Sequence, residues 1–196
     1  MPKPDNSLND LLDFTECLKE LKINYYLTNG TLLGCIREQD FIEWDEDIDL
    51  DTLQEDLIPK IRNLADKLKE KGFHGYFVYT RNYPKIVCQR GKRKICLGGF
   101  RESKYFLERA KYRFPKKFFN FAKSSVRYGT LQGQKFSIPI FSEDLLSFIY
   151  GDWLKPIKEK DEDKYSTGEH YIKPWLYQKI RTINFRIQSQ FYKQYF

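Results

Sequence analysis

The sequence predicts an α+β fold in which a mixed β-sheet is flanked by helices. Residues 7–22 repeat leucine at the spacing of an amphipathic helix. Residues 45–51 alternate Asp with other residues, which is the period of a β-strand. Residues 73–97 are rich in β-branched and aromatic residues and are interrupted at Gly91, which predicts further strands. Helical and extended segments therefore alternate, and their order indicates helices packed against one sheet.

The first half of the chain contains five predicted elements. Each is bounded by a residue type that starts or ends regular structure. They are a helix over 7–22, a strand over 25–28 that ends at Asn29-Gly30, a short helix from Leu32 with Thr31 as its N-cap, the acidic strand, and a helix from its cap Thr52 to Gly72.

The second half is predicted to complete the sheet and to add a C-terminal helix. Its predicted elements are strands over 73–80, 85–90 and 93–97, a hairpin over 126–138, a helix from the cap Ser142 to Tyr150, and a short helix after Pro174. Residues 101–123 fit no single pattern. With 196 residues we expect one domain over 1–196, with its core at about 7–155 and an extension over 156–196.

The acidic strand places its carboxylates on one face, because residues two apart point the same way. These carboxylates are Asp45, Asp47, Asp49 and Asp51. Like charges in a row repel, and a divalent cation such as Mg²⁺ or Mn²⁺ relieves the repulsion. A calcium-binding EF-hand loop is excluded, because Leu50 stands where the loop needs Gly and Asp56 where it needs Glu. A solvated acidic edge strand remains an alternative.

The turn before the acidic strand has the features of an anion site. Gly30 and Thr31 lie at the start of a predicted helix, where backbone N–H groups are free to bind phosphate. Arg37 follows on the same helix and offers a guanidinium group for phosphate oxygens. An ordinary Asn-Gly turn and a solvated Arg are the alternatives. Asn29-Gly30-Thr31 also fits the N-glycosylation pattern, which we interpret as coincidence.

The two segments together resemble the signature of the LicD/fukutin family of nucleotidyltransferase-fold proteins. The resemblance covers a small-residue turn, an Arg, and an aromatic-acidic run. The matching residues are Gly30, Thr31, Leu32, Leu33, Gly34, Arg37, Phe41, Ile42, Trp44, Asp45, Asp47, Ile48 and Asp49. A weaker match lies downstream, at Ile138-Pro139, Leu145-Leu146 and Tyr150-Gly151-Asp152-Trp153.

The resemblance implies a nucleotidyltransferase-like fold and a phosphoalcohol transferase. Such enzymes move phosphocholine, ribitol phosphate or a similar group from a CDP-linked donor to a glycan hydroxyl and release CMP. By similarity, Asp47 and Asp49 are the catalytic metal ligands for Mg²⁺ or Mn²⁺, and Asp45 is a third catalytic acid. Gly30 and Thr31 would face the donor phosphates, and Arg37 would support the site.

One departure from the family pattern concerns a third carboxylate on a later strand. The family places an Asp in a context similar to Lys94-Ile95-Cys96-Leu97, and Cys96 occupies that position here. A neutral thiol is a poor ligand for Mg²⁺ and a poor base. Glu102 is the alternative acid. Two other functions remain open: a catalytically silent member that binds a glycan or a partner enzyme, and a different nucleotidyltransferase.

The charge is unevenly distributed along the chain. The net charge is +7, and the segment from Lys85 to Lys123, which we call the basic block, holds thirteen Lys and Arg against two Glu. The block predicts an anionic partner: the donor, a glycan or lipid-linked glycan acceptor, or peripheral contact with an anionic membrane. Nucleic acid is less favoured. The four cysteines lack zinc-site spacing, and with no signal peptide we expect a cytoplasmic protein.

Overall fold

A computed structural model of the chain describes residues 5–79, 84–100, 127–156 and 192–196. Both helices and strands are present in these ranges, so the predicted α+β class is confirmed. The helices are α1 (Ser7–Glu20), α2 (Asn29–Arg37), α3 (Gln54–Leu57), α4 (Ile61–Glu70) and α5 (Ser142–Tyr150). The strands are β1 (Tyr26–Leu27), β2 (Asp47–Leu53), β3 (His74–Tyr79), β4 (Lys85–Gln89), β5 (Lys94–Phe100), β6 (Arg127–Leu131), β7 (Gln134–Ile138) and β8 (Tyr192–Tyr195).

The main sheet has six strands in the order β1-β2-β5-β4-β3-β8. Strands β2 and β5 run parallel, and the other neighbouring strands are antiparallel. The predicted hairpins are both confirmed: β4 pairs with β5, and β6 pairs with β7 in a separate two-stranded sheet. The predicted strand 93–97 becomes the central neighbour of the acidic strand.

One face of the main sheet is apolar and buried. The register aligns Leu50 of β2 with Leu97 of β5, Ile86 of β4 and Phe77 of β3 in a single row across the sheet. Each of these side chains is at most 2% exposed, and they belong to the same buried cluster as Phe14 of α1. Burying this face supplies most of the driving force for folding, because apolar area leaves water.

The opposite face carries the acidic side chains of β2, and we call it the polar face. Asp47, Asp49 and Asp51 of β2 lie on it, since residues two apart on a strand point the same way. The register places them beside Lys94, Cys96 and Gly98 of β5, respectively. The predicted period-two arrangement thus holds from Asp47 to Asp51, with Ile48 and Leu50 buried on the other face.

The predicted helix from Thr52 to Gly72 is partly wrong. Thr52 belongs to β2, is fully buried, and donates its hydroxyl hydrogen to the Asn24 carbonyl at 2.5 Å. The helical segment begins two residues later and changes to a 3₁₀ turn at Ile58–Lys60 before α4. Pro59 lies in that turn, and proline cannot donate the backbone hydrogen bond that an uninterrupted helix requires. Leu57 and the apolar residues of α4 (Ile61, Leu64, Ala65 and Leu68) are buried.

The predicted N-cap of α2 is also wrong. The helix begins at Asn29, so that Thr28 occupies the cap position and Thr31 lies within the first turn. Asn29 has φ of +46°, a left-handed conformation that Asn tolerates better than most residues. The Asn-Gly pair therefore forms the start of the helix instead of a separate turn before it.

Several sequence expectations lie outside the described residues. These are the assignments over 101–123, most of the 155–164 loop, the helix after Pro174, and Glu102 as an alternative acid. Strand β8, which pairs with β3, was not predicted. Within the ranges that the structure describes, no helix is both long and apolar enough to cross a membrane.

Candidate functional site

The acidic residues of the polar face lie where β2 meets the start of α2. Asp47 and Asp49 are half-buried on β2, and Asp51 follows two residues further along. Asp45 departs from the prediction, because β2 begins only at Asp47 and Asp45 lies in the preceding loop. Its carboxylate accepts the Asp47 N–H at 3.3 Å and so remains at the same site.

Charge repulsion and burial both act on these carboxylates. Burial, together with the charges of Asp45 and Asp47, raises the pKa of Asp49 to about 6. Burial and the charge of Asp49 raise the pKa of Asp51 to about 7. Burial also raises the pKa of Asp45, as does Asp47. A raised carboxyl pKa means that the local environment disfavours the negative charge, and a bound cation would reverse that effect.

The start of α2 is joined directly to the acidic strand. The Thr31 hydroxyl accepts the Asp49 N–H at 2.9 Å, and Thr31 is only 2% exposed. The Asn29 amide donates to a carboxylate oxygen of Asp49 at 3.4 Å. The predicted phosphate turn and the predicted metal strand are therefore adjacent. In the structure the Thr31 hydroxyl binds the backbone of β2. Its contact with donor phosphates stays a prediction.

Gly30 is adjacent to the Asp45 carboxylate. A Cβ atom built on Gly30 would lie 2.1 Å from Asp45 Oδ2, far inside van der Waals contact. That Gly30 faces the donor phosphates stays a prediction; what the structure places beside Gly30 is the Asp45 carboxylate. A negative group is favoured at a helix N-terminus by the helix dipole and the free N–H groups. Gly30 thus allows Asp45 to approach the helix start.

Arg37 lies at the far end of α2, about 10 Å from Gly30 along the helix axis. Its guanidinium donates to the Trp153 carbonyl at 3.2 Å and to the Glu38 carboxylate at 3.0 Å. The described structure does not bring it together with Gly30 and Thr31. Arg37 instead connects α2 to the Tyr150-Gly151-Asp152-Trp153 segment, which links the two regions of family resemblance.

Cys96 occupies the place on β5 directly beside Asp49. The predicted placement of Cys96 next to the acidic strand is therefore confirmed. Burial raises the pKa of its thiol to about 11, so that the thiol is neutral near pH 7. The structure describes no acid at this position on β5.

Lys85 is a functional candidate that the sequence analysis did not single out. It lies on β4 in the same row as Gly98 and Asp51, and Gly98 has no side chain to separate them. Its positive charge acts on Asp49 and Asp51, lowering both pKa values against the larger effect of burial. Only the strand register reveals this proximity, because Lys85 and Asp51 are far apart in sequence.

Arg93 is the second residue that the sequence analysis missed. It was counted within the basic block, yet it is only 4% exposed. Its guanidinium donates to the Asp45 carbonyl at 2.9 Å and to the Asp5 carboxylate at 2.8 Å. Arg90, also in the block, pairs with Asp10 and Asp13 of α1. These two Arg side chains serve internal contacts, so the block is less available to an anionic partner than its composition suggests.

The residues fit a cation held by a carboxylate pair. Asp47 Oδ1 is buried and has no hydrogen-bond donor among the described residues. Within these residues no group of three or more His, Cys, Asp and Glu side chains is arranged to hold a metal ion. Asp47 and Asp49 could hold Mg²⁺ as a pair, because this ion often takes one or two carboxylates and completes its shell with water and substrate phosphates.

A model of a protein family matches most of the folded core. The family model described as LicD/FKTN/FKRP, nucleotidyltransferase domain, matches residues 22–139. The matched range contains α2, β2, β4 and β5, and hence Asp45, Asp47, Asp49, Lys85 and Cys96. Among the residues that bond to the matched range from outside it are Asp5, Asp10, Asp13 and Trp153.

Curated relatives match over shorter segments. An uncharacterized protein of Rickettsia prowazekii is 30% identical over 76 residues, or 39% of this chain and 28% of that protein. The lipopolysaccharide cholinephosphotransferase LicD of Haemophilus influenzae is 50% identical over 42 residues, or 21% of this chain and 16% of that protein. The matches thus span less than a third of each relative's length.

Among solved structures, this chain is similar to the crystal structure of ANT(2″)-Ia in complex with adenylyl-2″-tobramycin. The similarity covers 90% of this chain and 95% of that one, with 12% sequence identity and a TM-score of 0.48.

Proposed function

Because the chain belongs to the LicD/FKTN/FKRP family of nucleotidyltransferase domains, we propose that it transfers a phosphoalcohol from a CDP-linked donor to a glycan hydroxyl. A phosphotransferase or nucleotidyltransferase type of function follows from the family. The donor, the acceptor and the need for a metal are our proposal. The observation that carries it is the junction of β2 with α2, where a carboxylate pair adjoins a helix N-terminus.

The proposed reaction exchanges one phosphoester linkage for another. The acceptor hydroxyl oxygen bonds to the phosphorus that carries the alcohol, and the bond from that phosphorus to the bridging oxygen breaks. CMP leaves with the bridging oxygen, and the acceptor proton passes to a base or to water. Phosphoryl transfer of this kind depends on positioning and on stabilisation of charge more than on covalent help from the protein.

Asp47 and Asp49 would hold Mg²⁺ or Mn²⁺, which when bound offsets the negative charge of the donor phosphates. The N–H groups at the start of α2 that the Asp45 carboxylate leaves free would bind phosphate oxygens. The Asp45 carboxylate, which lies beside Gly30, would hold the loop before β2 close to the start of the helix. Asn29 orients the Asp49 carboxylate through its amide.

Cys96 supports a second candidate, a catalytically silent protein that binds a glycan or a partner. The thiol beside Asp49 cannot accept the acceptor's proton at neutral pH, since its pKa is raised to about 11. The retained carboxylate pair argues against this candidate. Repulsion within the pair destabilises the fold, and a protein with no metal to bind gains nothing from keeping it.

The test is Mg²⁺-dependent release of CMP from CDP-choline, CDP-ribitol or CDP-glycerol, with CTP and pyrophosphate release as the alternative readout. Ligands that bind the native state raise the melting temperature, which allows the donors to be screened first. We expect Asp49→Asn to abolish turnover and the Mg²⁺-dependent thermal shift while keeping the fold.

The matched control is Asp66→Asn, which removes an exposed carboxylate from α4, far from the polar face. It should retain the activity and the thermal shift of the unmodified chain. Full turnover by Asp49→Asn would exclude a role for this carboxylate in metal binding. Pyrophosphate release from CTP, with no CMP from any CDP-alcohol, would favour nucleotide transfer instead.

A further inference from the structure

Arg93 makes an unusually complete set of buried contacts at the start of β5. Besides the Asp45 carbonyl and the Asp5 carboxylate, its guanidinium donates to the Ser7 hydroxyl at 2.9 Å and to the Ile42 carbonyl at 3.3 Å. All three guanidinium nitrogens are used. A buried charge with this many partners is fixed in one orientation, because each partner constrains the planar group.

The contacts of Arg93 converge on one short segment, residues 42–46, which we call the acidic loop. Two of its carbonyl groups, those of Ile42 and Asp45, accept hydrogen bonds from Arg93. The loop also contains a turn in which the Asp45 N–H donates to the Ile42 carbonyl at 3.1 Å. The guanidinium therefore holds both ends of this turn from the side facing the protein interior.

The acidic loop positions Asp45 at the candidate site. The Asp45 backbone is held by Arg93, and its carboxylate contacts both Gly30 of α2 and the Asp47 N–H. Movement of the Asp45 backbone would displace the carboxylate from the helix start and release the first residue of β2. The orientation of Asp47, which follows directly, depends on the same contacts.

We propose that Arg93 is a positioning residue that holds the acidic loop against the start of α2, with Asp5 and Ser7 completing its support from the N-terminal segment. This support comes from outside residues 22–139, the range that matches the family. The catalytic consequence depends on the transferase function proposed above, whereas the effect on the loop does not.

Lysine could not replace Arg93, although it would keep the positive charge. An ammonium group is compact and cannot bind two carbonyls, a hydroxyl and a carboxylate in the directions that a planar guanidinium serves. Asp5 is 46% exposed in its side chain, so water would solvate it after the substitution. Arg93→Lys should therefore fold but remove the guanidinium donors from the Ile42 and Asp45 carbonyls, leaving the Ile42 carbonyl with the Asp45 N–H.

Trp44 provides a readout of the acidic loop that does not require activity. It lies in the loop, is 42% exposed, and is one of three tryptophans in the chain. Replacing Trp153 and Trp175 with Phe leaves Trp44 as the sole tryptophan, which can be excited selectively over tyrosine. In this background we expect Arg93→Lys to increase quenching of Trp44 by acrylamide, because a looser loop exposes the indole.

Two functional readouts complete the experiment. We expect Arg93→Lys to weaken Mn²⁺ binding or lower kcat for CMP release by about 10- to 100-fold, the usual effect of losing a residue that orients a metal ligand. The KM for the CDP-alcohol should change less, because Arg93 touches no part of the proposed donor site.

Arg90→Gln is the matched control. Arg90 pairs with Asp10 and Asp13 of α1 and donates to the Lys71 carbonyl at 3.0 Å, but it makes none of the contacts described for the acidic loop. It should lower stability while leaving Trp44 quenching and Mn²⁺ affinity unchanged. If Arg93→Lys and Arg90→Gln gave the same pattern in all readouts, Arg93 would have only a structural role.

A second pair of substitutions tests the support from the N-terminal segment without altering the guanidinium. Asp5→Asn with Ser7→Ala should change Trp44 quenching in the same direction as Arg93→Lys and by a smaller amount. Unchanged quenching would contradict the proposed support, even if Arg93→Lys failed to fold. If the unmodified chain released no CMP from any CDP-alcohol, the proposed function would fail, while the quenching and Mn²⁺ results would still decide the role of Arg93.

Discussion

Gly30 is constrained by a neighbour that the sequence does not reveal. The sequence predicts that donor phosphates lie near this position, and the atom that would clash with a side chain on Gly30 belongs to Asp45. The end of an Asp side chain can move, whereas a helix backbone cannot move without breaking hydrogen bonds. A small residue added at Gly30 should therefore displace the carboxylate and keep the fold.

This contact gives a prediction for a double-mutant cycle. Gly30→Ala alone should destabilise the chain by about 1–2 kcal/mol through overpacking. In an Asp45→Ala background the same change should be neutral or stabilising by up to about 1 kcal/mol, because Ala is the better helix former. Urea unfolding of the four proteins measures the coupling.

Gly34→Ala is the control for that cycle. Its Cβ would lie 2.4 Å from the Asp40 carbonyl oxygen, which is backbone and cannot move aside. Gly34→Ala should be destabilising with or without Asp45. Equal and additive effects of Gly30→Ala in both backgrounds would mean that the Asp45 carboxylate does not occupy this space.

Cys96 gives a second prediction at the scale of single residues. It lies beside Asp49 on the parallel strand, so Cys96→Asp would add a carboxylate to the candidate metal site. We expect Mn²⁺ affinity to rise by about tenfold, since affinity grows with the number of charged ligands. Stability without metal should fall, because another like charge joins the polar face.

Cys96→Ser is the matched control, because it is similar in size and adds no charge. It should leave Mn²⁺ affinity unchanged. If Cys96→Asp also left the Mn²⁺ affinity unchanged, the third carboxylate of the family pattern would have to come from another part of the chain.

At the scale of elements, β2 places carboxylates in an environment that disfavours their charge. In the folded state the pKa of Asp49 is about 6 and that of Asp51 about 7, against an ordinary value of 3.8. Between the ordinary pKa of 3.8 and these raised values, the folded state therefore binds more protons than the unfolded state. Stability contributed by the protonated carboxyls is present at low pH and is lost as the pH rises through 6 and 7.

The metal-free chain should accordingly be less stable at about pH 8 than at about pH 5, and we expect a difference on the order of 3 kcal/mol. Urea unfolding in the presence of EDTA measures it. Asp51→Asn should reduce the difference, because it removes one of the two titrating groups. Asp66→Asn should not.

Adding Mg²⁺ at the higher pH provides the complementary measurement. A cation bound by the carboxylates would restore much of the lost stability, by mass action and by relief of repulsion. A metal-free stability that is flat or rises across this pH range would show that burial and repulsion do not act on β2 as described.

At the scale of the whole molecule, the C-terminal segment closes one edge of the sheet, remote from the candidate site. β8 pairs with β3, and two further backbone hydrogen bonds, at 3.0 Å and 2.9 Å, join Gly75 to Phe196. The Tyr76 and Tyr195 rings lie 5.7 Å apart, and Lys193 approaches the Tyr76 ring at 3.9 Å. Strands β4 and β5 separate this edge from β2.

Removing residues 192–196 should thus lower the free energy of unfolding by about 2 kcal/mol. The Mn²⁺ affinity and the thermal shift with donor should stay unchanged, because β5 and β4 lie between the carboxylates of β2 and the lost contacts on β3. A truncated chain that lost metal affinity while retaining its stability would place the C-terminal segment at the site itself.

The sequence by itself determined the elements whose pattern is local. The α+β class, the period-two acidic strand, the β4–β5 and β6–β7 hairpins and α5 follow from spacing and turn residues. The prediction of a helix from Thr52 is partly wrong, because Thr52 pairs within the sheet as part of β2 and Pro59 interrupts the helix. Likewise Thr31, expected to cap α2, lies inside the helix and bonds to Asp49 of β2.

Only the tertiary structure decided which residues share the site. The site depends on proximity between segments that are separate in sequence. Asp45 contacts Gly30, and Lys85 lies in the same row of the sheet as Asp51, with Gly98 between them. Arg93 joins Asp5 to the acidic loop. Sequence periodicity predicts the face of an element but not the neighbour that covers it, because strand order and register are set by burying the whole apolar face at once. For the same reason the composition of the basic block does not reveal that Arg93, one of its residues, is buried in the interior.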